Sequence, residues 1–365
     1  MKKLIYARIS LFLVLIVIFS TYNNHQIKKT KYITTKKIIN NDGLVNISID
    51  PKVELLIVVQ YLSNDKTIVN TSNDKAVSDY IRDIDNYFYH FKDDTVVKLY
   101  KEMNAKDFSY DTPLTLLLYT DDTLKLDENM KLPERTLNYT GGRDRALRFL
   151  KSLSEFNIKS NFNIFFNKHI EFYNKIVAET RNKLNKTNCI DKLINYYGYE
   201  QKSYNIIIDT LSNGGYGIEK FNKKGGKDLY ALIGLNSDEI DFTNIVIHEF
   251  GHSYIDSLTD QYIENVNKFD YLFDNVTDKI DMETYGEWNV YVNELLVRSV
   301  TYKLINEIYG NDIKNQYINH DKEQGFIYLT NLYNKLTYYE NNRDQYKTFD
   351  NFYMDLINTL YLSDK

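Results

Sequence analysis

Apolar and polar positions alternate over 41–50 (NDGLVNISID), which predicts a short strand. Pro51 then opens PKVELLIVVQYL, a helix with proline in its first turn. Between 76 and 103 the apolar residues Val77, Tyr80, Ile81, Ile84, Tyr87, Phe88 and Phe91 recur at helical spacing. The pattern breaks at Lys92-Asp93-Asp94 and resumes from Thr95. Asp111-Thr112-Pro113 and Gly141-Gly142 punctuate a mixed stretch, and 144–185 reads as two further helices.

The texture changes near residue 203. SYNIIIDTL (203–211) is a β-type run, Gly214, Gly215 and Gly217 read as a turn, and DLYALIGL (228–235) reads as a second strand. From Asp241 to Ser257 the pattern is helical, with Asp241 and Thr243 as N-cap candidates, and from about 260 nearly everything reads as helix. This order predicts an α+β, predominantly helical fold.

Composition narrows the class. A chain of 365 residues with 43% hydrophobic residues can bury a core. Its net charge of −5 lacks the basic excess of a dedicated nucleic-acid binder, so none is expected as a partner. Its single cysteine, Cys189, allows neither an internal disulfide nor a cysteine-based zinc cluster, and reads as an inert packed thiol.

Residues 1–22 carry Lys2, Lys3 and Arg8 ahead of an apolar run from Ile9 to Phe19, the pattern of a signal peptide or N-terminal membrane anchor. A basic linker over 23–40 follows. The expected location is therefore secreted, or anchored to the outer face of the cytoplasmic membrane. The remainder divides into a mostly helical region (41–155), a catalytic subdomain with a small sheet (156–260) and a helical subdomain (261–365).

The chemistry concentrates at His248-Glu249-Phe250-Gly251-His252, an H-E-x-x-H match. On a helix the two histidines lie on one face and can reach one metal ion, while Glu249 can take a proton from a metal-bound water. A catalytic zinc needs a third protein ligand and an open position. One known arrangement places Gly three and His six residues beyond the second His, where this chain has Ile255 and Leu258. Another embeds the motif in an apolar span, which Asp241, Glu249 and Asp256 exclude. A third takes a glutamate from a downstream helix, and 285–309 supplies one. Glu294 is the preferred ligand and Glu287, seven residues earlier on nearly the same face, is the runner-up.

Arg298, four residues beyond Glu294, is assigned to bracing that carboxylate or stabilising an oxyanion. Asp256 and Glu287 are candidates to orient His248. Tyr285, Tyr291 and His320 are candidate transition-state donors, whereas His90 and His169 read as structural. Gly251 inside the helix costs about 1 kcal/mol against Ala and implies a close approach there.

HEFGHS, YGEWNVYVNELLVRSVTYKL and NNRDQYKTFDNFYMDLI together resemble the bacterial DUF4932 family, as do the earlier segments DPKVELLIVVQYL and DNYFYHFKDD. The resemblance spans roughly 45–360. It implies an extracytoplasmic zinc metallopeptidase of gluzincin type with a zincin-like fold, a small sheet beside the motif helix, and a polypeptide substrate. It carries His248, His252 and Glu294 over as zinc ligands and Glu249 as catalytic base. In zinc peptidases of this type an edge strand pairs with extended substrate, a role open to 228–235, whose pattern fits an ordinary sheet strand equally well. Two other readings remain: a zinc-containing surface protein without peptidase activity, and a zinc hydrolase acting on a non-peptide substrate.

Overall fold

The computed structural model describes residues 36–69, 71–127, 130–212, 214–221, 226–235 and 238–360. The expected signal or anchor segment and most of the basic linker lie outside these residues. Among the described residues, no helix is long and apolar enough to cross a membrane.

In chain order the elements are β1 (Ile38–Asp42), β2 (Val45–Ile49), α1 (Pro51–Ser63), α2 (Lys75–Phe88), α3 (Thr95–Asn104), α4 (Asp111–Leu118) and α5 (Glu134–Thr140). Next come α6 (Arg143–Lys159), α7 (Phe162–Lys168), α8 (Ile170–Thr187), α9 (Cys189–Tyr197), β3 (Ser203–Asp209), β4 (Gly215–Phe221) and β5 (Lys227–Gly234). The C-terminal part contains α10 (Glu239–Gln261), α11 (Ile263–Val266), α12 (Met282–Tyr285), α13 (Trp288–Tyr309), α14 (Asn311–Glu323), α15 (Leu329–Asn341) and α16 (Phe349–Ile357). The fold is thus α+β and mostly helical, as the periodicity predicts.

The described residues form two compact units, one of residues 36–38 and 49–175, the other of 39–48 and 176–360. The expected boundary at 155–156 falls inside α6, and the actual division falls inside α8. The sheet and the C-terminal helices share one unit, rather than the two subdomains read from the sequence.

The first unit is helical. Asp50 caps α1 by accepting from the Lys52 N–H, and Pro51 sits where its missing N–H goes unneeded. Apolar residues line α1 on nearly every side, and Leu55, Ile57, Val58 and Val59 are fully buried. That is the signature of a helix enclosed by others. Tyr80 donates to the buried Glu54 carboxylate at 2.7 Å and pairs with the Tyr173 hydroxyl at 2.8 Å, so the acid is not buried bare. His169 lies here, 3.1 Å from Asp83 and 2.9 Å from the Phe165 carbonyl, in the structural role expected of it, and His90 is exposed.

The second unit holds a five-stranded sheet in the order β1-β2-β3-β5-β4. β2 and β3 run parallel, as do β3 and β5, and β4 runs antiparallel to β5. The Ile206–Ile208 run of β3 is buried, as a strand flanked by neighbours on both sides requires. Two expectations are corrected. The strand at 228–235 is not an edge: β5 lies between β3 and β4, and β4 is the outer strand. The glycines at 215 and 217 do not form a turn but lie within β4.

Candidate metal centre

α10 begins at Asp238, whose carboxylate accepts from the N–H groups of Ile240 and Asp241. The cap therefore precedes the candidates Asp241 and Thr243, and Thr243 bonds back to the Glu239 carbonyl inside the helix. Val246, Ile247, Phe250 and Tyr254 of α10 are buried. That packing turns the other face, with His248 and His252, toward α13. Gly251 lets the helices close up: a methyl group there would lie 3.3 Å from the Val297 side chain and 3.4 Å from the Tyr197 hydroxyl.

The two imidazoles and the Glu294 carboxylate converge. His248 Nε2 and His252 Nε2 are 3.2 Å apart. Glu294 Oε1 is 3.3 Å from His252 Nε2, and Glu294 Oε2 is 3.6 Å from His248 Nε2. A tetrahedral ion with bonds of 2.0–2.1 Å separates its ligands by about 3.3 Å, close to the spacing of the two nitrogens, and one ligand atom from each of the three side chains lies within 4.8 Å of the others. Two imidazole nitrogens and a carboxylate oxygen are also a donor set that zinc accepts. Among the described residues this is the group of His, Cys, Asp and Glu side chains placed to hold a metal ion. Glu287, the runner-up ligand, is exposed at the N-cap of α13 and outside the triangle.

The electrostatics suit a cation. Burial alone would raise the Glu294 carboxyl, but His248, His252 and Arg298 outweigh it and hold the group well below the usual carboxylate range. Burial pushes His248 down to about 3, so its imidazole is neutral and its nitrogen available. For His252 burial acts in the same direction, but Asp256 and Glu294 overcome it and raise the group above its ordinary value. Asp256 Oδ1 is 3.1 Å from His252 Nδ1 and fixes that ring with Nε2 toward the centre. Asp256 thus orients His252 rather than His248.

Glu249 faces β4. Burial lifts its carboxyl to about 7, against the opposing pull of His252 and the nearby Gly217 backbone. A methyl on Gly217 would lie 2.8 Å from the Glu249 carbonyl oxygen and 3.1 Å from its Oε2. On Gly215 it would lie 2.3 Å from the Ile245 side chain. The strand can approach α10 this closely only because both positions lack a side chain.

Arg298 lies beside the triangle. Its Nε is 3.1 Å and its Nη2 3.0 Å from Glu294 Oε2, and its Nη1 is 2.9 Å from Asp321 Oδ2. Its guanidinium carbon stands 4.3 Å from the Phe326 ring centre. Of the candidate donors, Tyr285 is nearby, with its hydroxyl 3.4 Å from Arg298 Nη2. Tyr291 is buried and donates to the Gly325 carbonyl, and His320 is exposed on α14. Asp321, Tyr302 and Gly217 were missed by sequence reasoning. Asp321 and Gly217 are brought in by pairing and packing that no local spacing signals, and Tyr302 is one tyrosine among 33.

No curated protein and no solved structure matches the chain. The profile of a domain of unknown function, DUF4932, matches residues 45–359, which take in both units and every residue of the centre just described. The chain belongs to the DUF4932 family.

Proposed function

We propose that the protein is a zinc-dependent peptidase of gluzincin type with a zincin-like fold, acting outside the cytoplasm. The reading rests on one observation: the His248, His252 and Glu294 side chains, from two helices, converge closely enough to hold one metal ion, with Glu249 adjacent to His248 in the chain. His248, His252 and Glu294 would hold the ion and leave its remaining position to water and substrate. Zinc in that place supplies Lewis acidity, which brings the pKa of a coordinated water toward ~7.

The chain's own groups do the rest. Glu249, adjacent to the ligand His248 on α10, would accept a proton from water and return it to a leaving amine. Gly217 of β4 packs against that carboxylate. Arg298 has its nitrogens engaged by Glu294, Asp321 and Tyr285, which suits bracing the ligand better than receiving an oxyanion. β4, the outer strand beside Glu249, offers an extended peptide a partner for backbone pairing.

The test combines metal analysis with peptide-library digestion. The protein should carry one zinc per chain and cleave peptides in a chelator-sensitive way. His248→Ala should lose the metal, and Glu249→Gln should keep it while losing hydrolysis. A zinc-loaded protein that cleaves no peptide, or a Glu249→Gln variant with full turnover, would refute the reading.

A further inference from the structure

We propose that Asp321 is a positioning residue for the metal centre: it cancels and orients the charge of Arg298, so that Glu294 keeps its full attraction for a cation. The inference rests on the metal-binding part of the reading above and is independent of peptide hydrolysis.

An arginine beside a ligand carboxylate has two opposed effects. It fixes the carboxylate by hydrogen bonds, here through Nε at 3.1 Å and Nη2 at 3.0 Å from Oε2. It also offsets the carboxylate's charge and repels an incoming cation. Glu294 and Arg298 alone sum to zero. Asp321, on the far side of the guanidinium with Oδ2 2.9 Å from Nη1, returns the group to a net negative charge. The pair keeps the geometric benefit of arginine without its electrostatic penalty.

The surroundings are built to hold Asp321 in that place. It is 4% exposed on α14, where an unpaired carboxylate would be costly. The buried Tyr302 donates its hydroxyl to the same Oδ2. Tyr302 stacks on Tyr317 with ring centres 5.6 Å apart, and Tyr317 donates to Asp241 in the first turn of α10. Phe326 closes the guanidinium face at 4.3 Å. The carboxylate is thereby tied through α13 to the helix that carries both histidines.

A buried ion pair serving only the fold would give the same contacts, so the test separates the two. Zinc alone is titrated into metal-free protein against a chromophoric chelator, and melting of the metal-free protein is followed in parallel. Asp321→Asn should weaken zinc binding by ~10–100-fold. Removing the uncompensated charge as well, in R298Q/D321N, should bind zinc more tightly than Asp321→Asn alone. Should Asp321→Asn not fold, Tyr302→Phe loosens the same carboxylate with a smaller change, and its zinc affinity should fall by less than about 10-fold. Parental affinity in Asp321→Asn, or in Tyr302→Phe where the first does not fold, overturns the proposal. So does a double variant no tighter than Asp321→Asn. A parent protein that takes up no zinc overturns both this proposal and the metal centre itself.

Discussion

Gly217 of the outer strand β4 packs directly on Glu249: a methyl group on the glycine would stand 3.1 Å from the Oε2 of the motif glutamate. The same glycine leaves no room for anything larger. Gly217→Ala should therefore shift Glu249 while leaving the three ligand atoms in place. The expected outcome is a fall in turnover on the order of 10²-fold with zinc content unchanged. Steady-state kinetics on a cleaved peptide, with metal analysis of the same sample, decides it, and undiminished turnover would show that the contact is idle.

His252 is oriented from behind by Asp256, at 3.1 Å. Asp256 is half exposed, so its replacement should disturb folding little. Asp256→Asn should lower zinc affinity by roughly 10-fold while leaving the metal-free protein folded. Chelator competition and a thermal melt check the two halves, and parental zinc affinity would contradict the assignment.

The raised His252 has a consequence for pH. Its ring lies between Asp256 and Glu294 in the metal-free protein, and both carboxylates favour the protonated imidazole, whose proton a metal must displace. Zinc binding should release about one proton from this ring and tighten as pH rises toward its folded pKa. Because the folded value exceeds the ordinary 6.5, this charge stabilises the metal-free fold fully below pH 6.5. That contribution is lost as pH rises through the folded value. Calorimetry in two buffers of different ionisation enthalpy measures the released proton, and identical heats would disprove it.

Cys189 is fully buried at the start of α9, and burial pushes its thiol up to about 11. The group stays protonated through pH 7–9 and should resist a disulfide reagent in the native protein. One thiol equivalent should react on unfolding. Rapid native-state labelling would show that α9 opens readily.

Much of the site was legible because its signals are local. His248 and His252 are four residues apart on one helix, and Glu294 lies on a second helix that its own periodicity announces. Cys189 and His169 were read as structural, and their environments agree. The errors share a cause. Gly215 and Gly217 resemble turn residues until the strand's approach to Ile245 and Glu249 is known. The edge role considered for 228–235 came from the type of zinc peptidase, because local pattern carries no sheet order and fits an inner strand equally well. Asp238 rather than Asp241 caps α10, a displacement of less than one turn. Asp321 lies 23 residues from Arg298, and only the folding of α14 onto α13 brings them together.

The parallel pairing of β2 with β3 joins residues as far apart as Asn46 and Asn205, whose side-chain amides bond at 2.9 Å. On a ribosome, β2 emerges early and stays without its β3 partner until residues 50–202 have followed. A contact of such long range is slow to close. The inserted helices can condense early, since their partners are near at hand. The sheet that presents Glu249 with its strand must therefore be among the last parts to assemble, and an arrested nascent chain would contain the helical unit well before any metal-binding one.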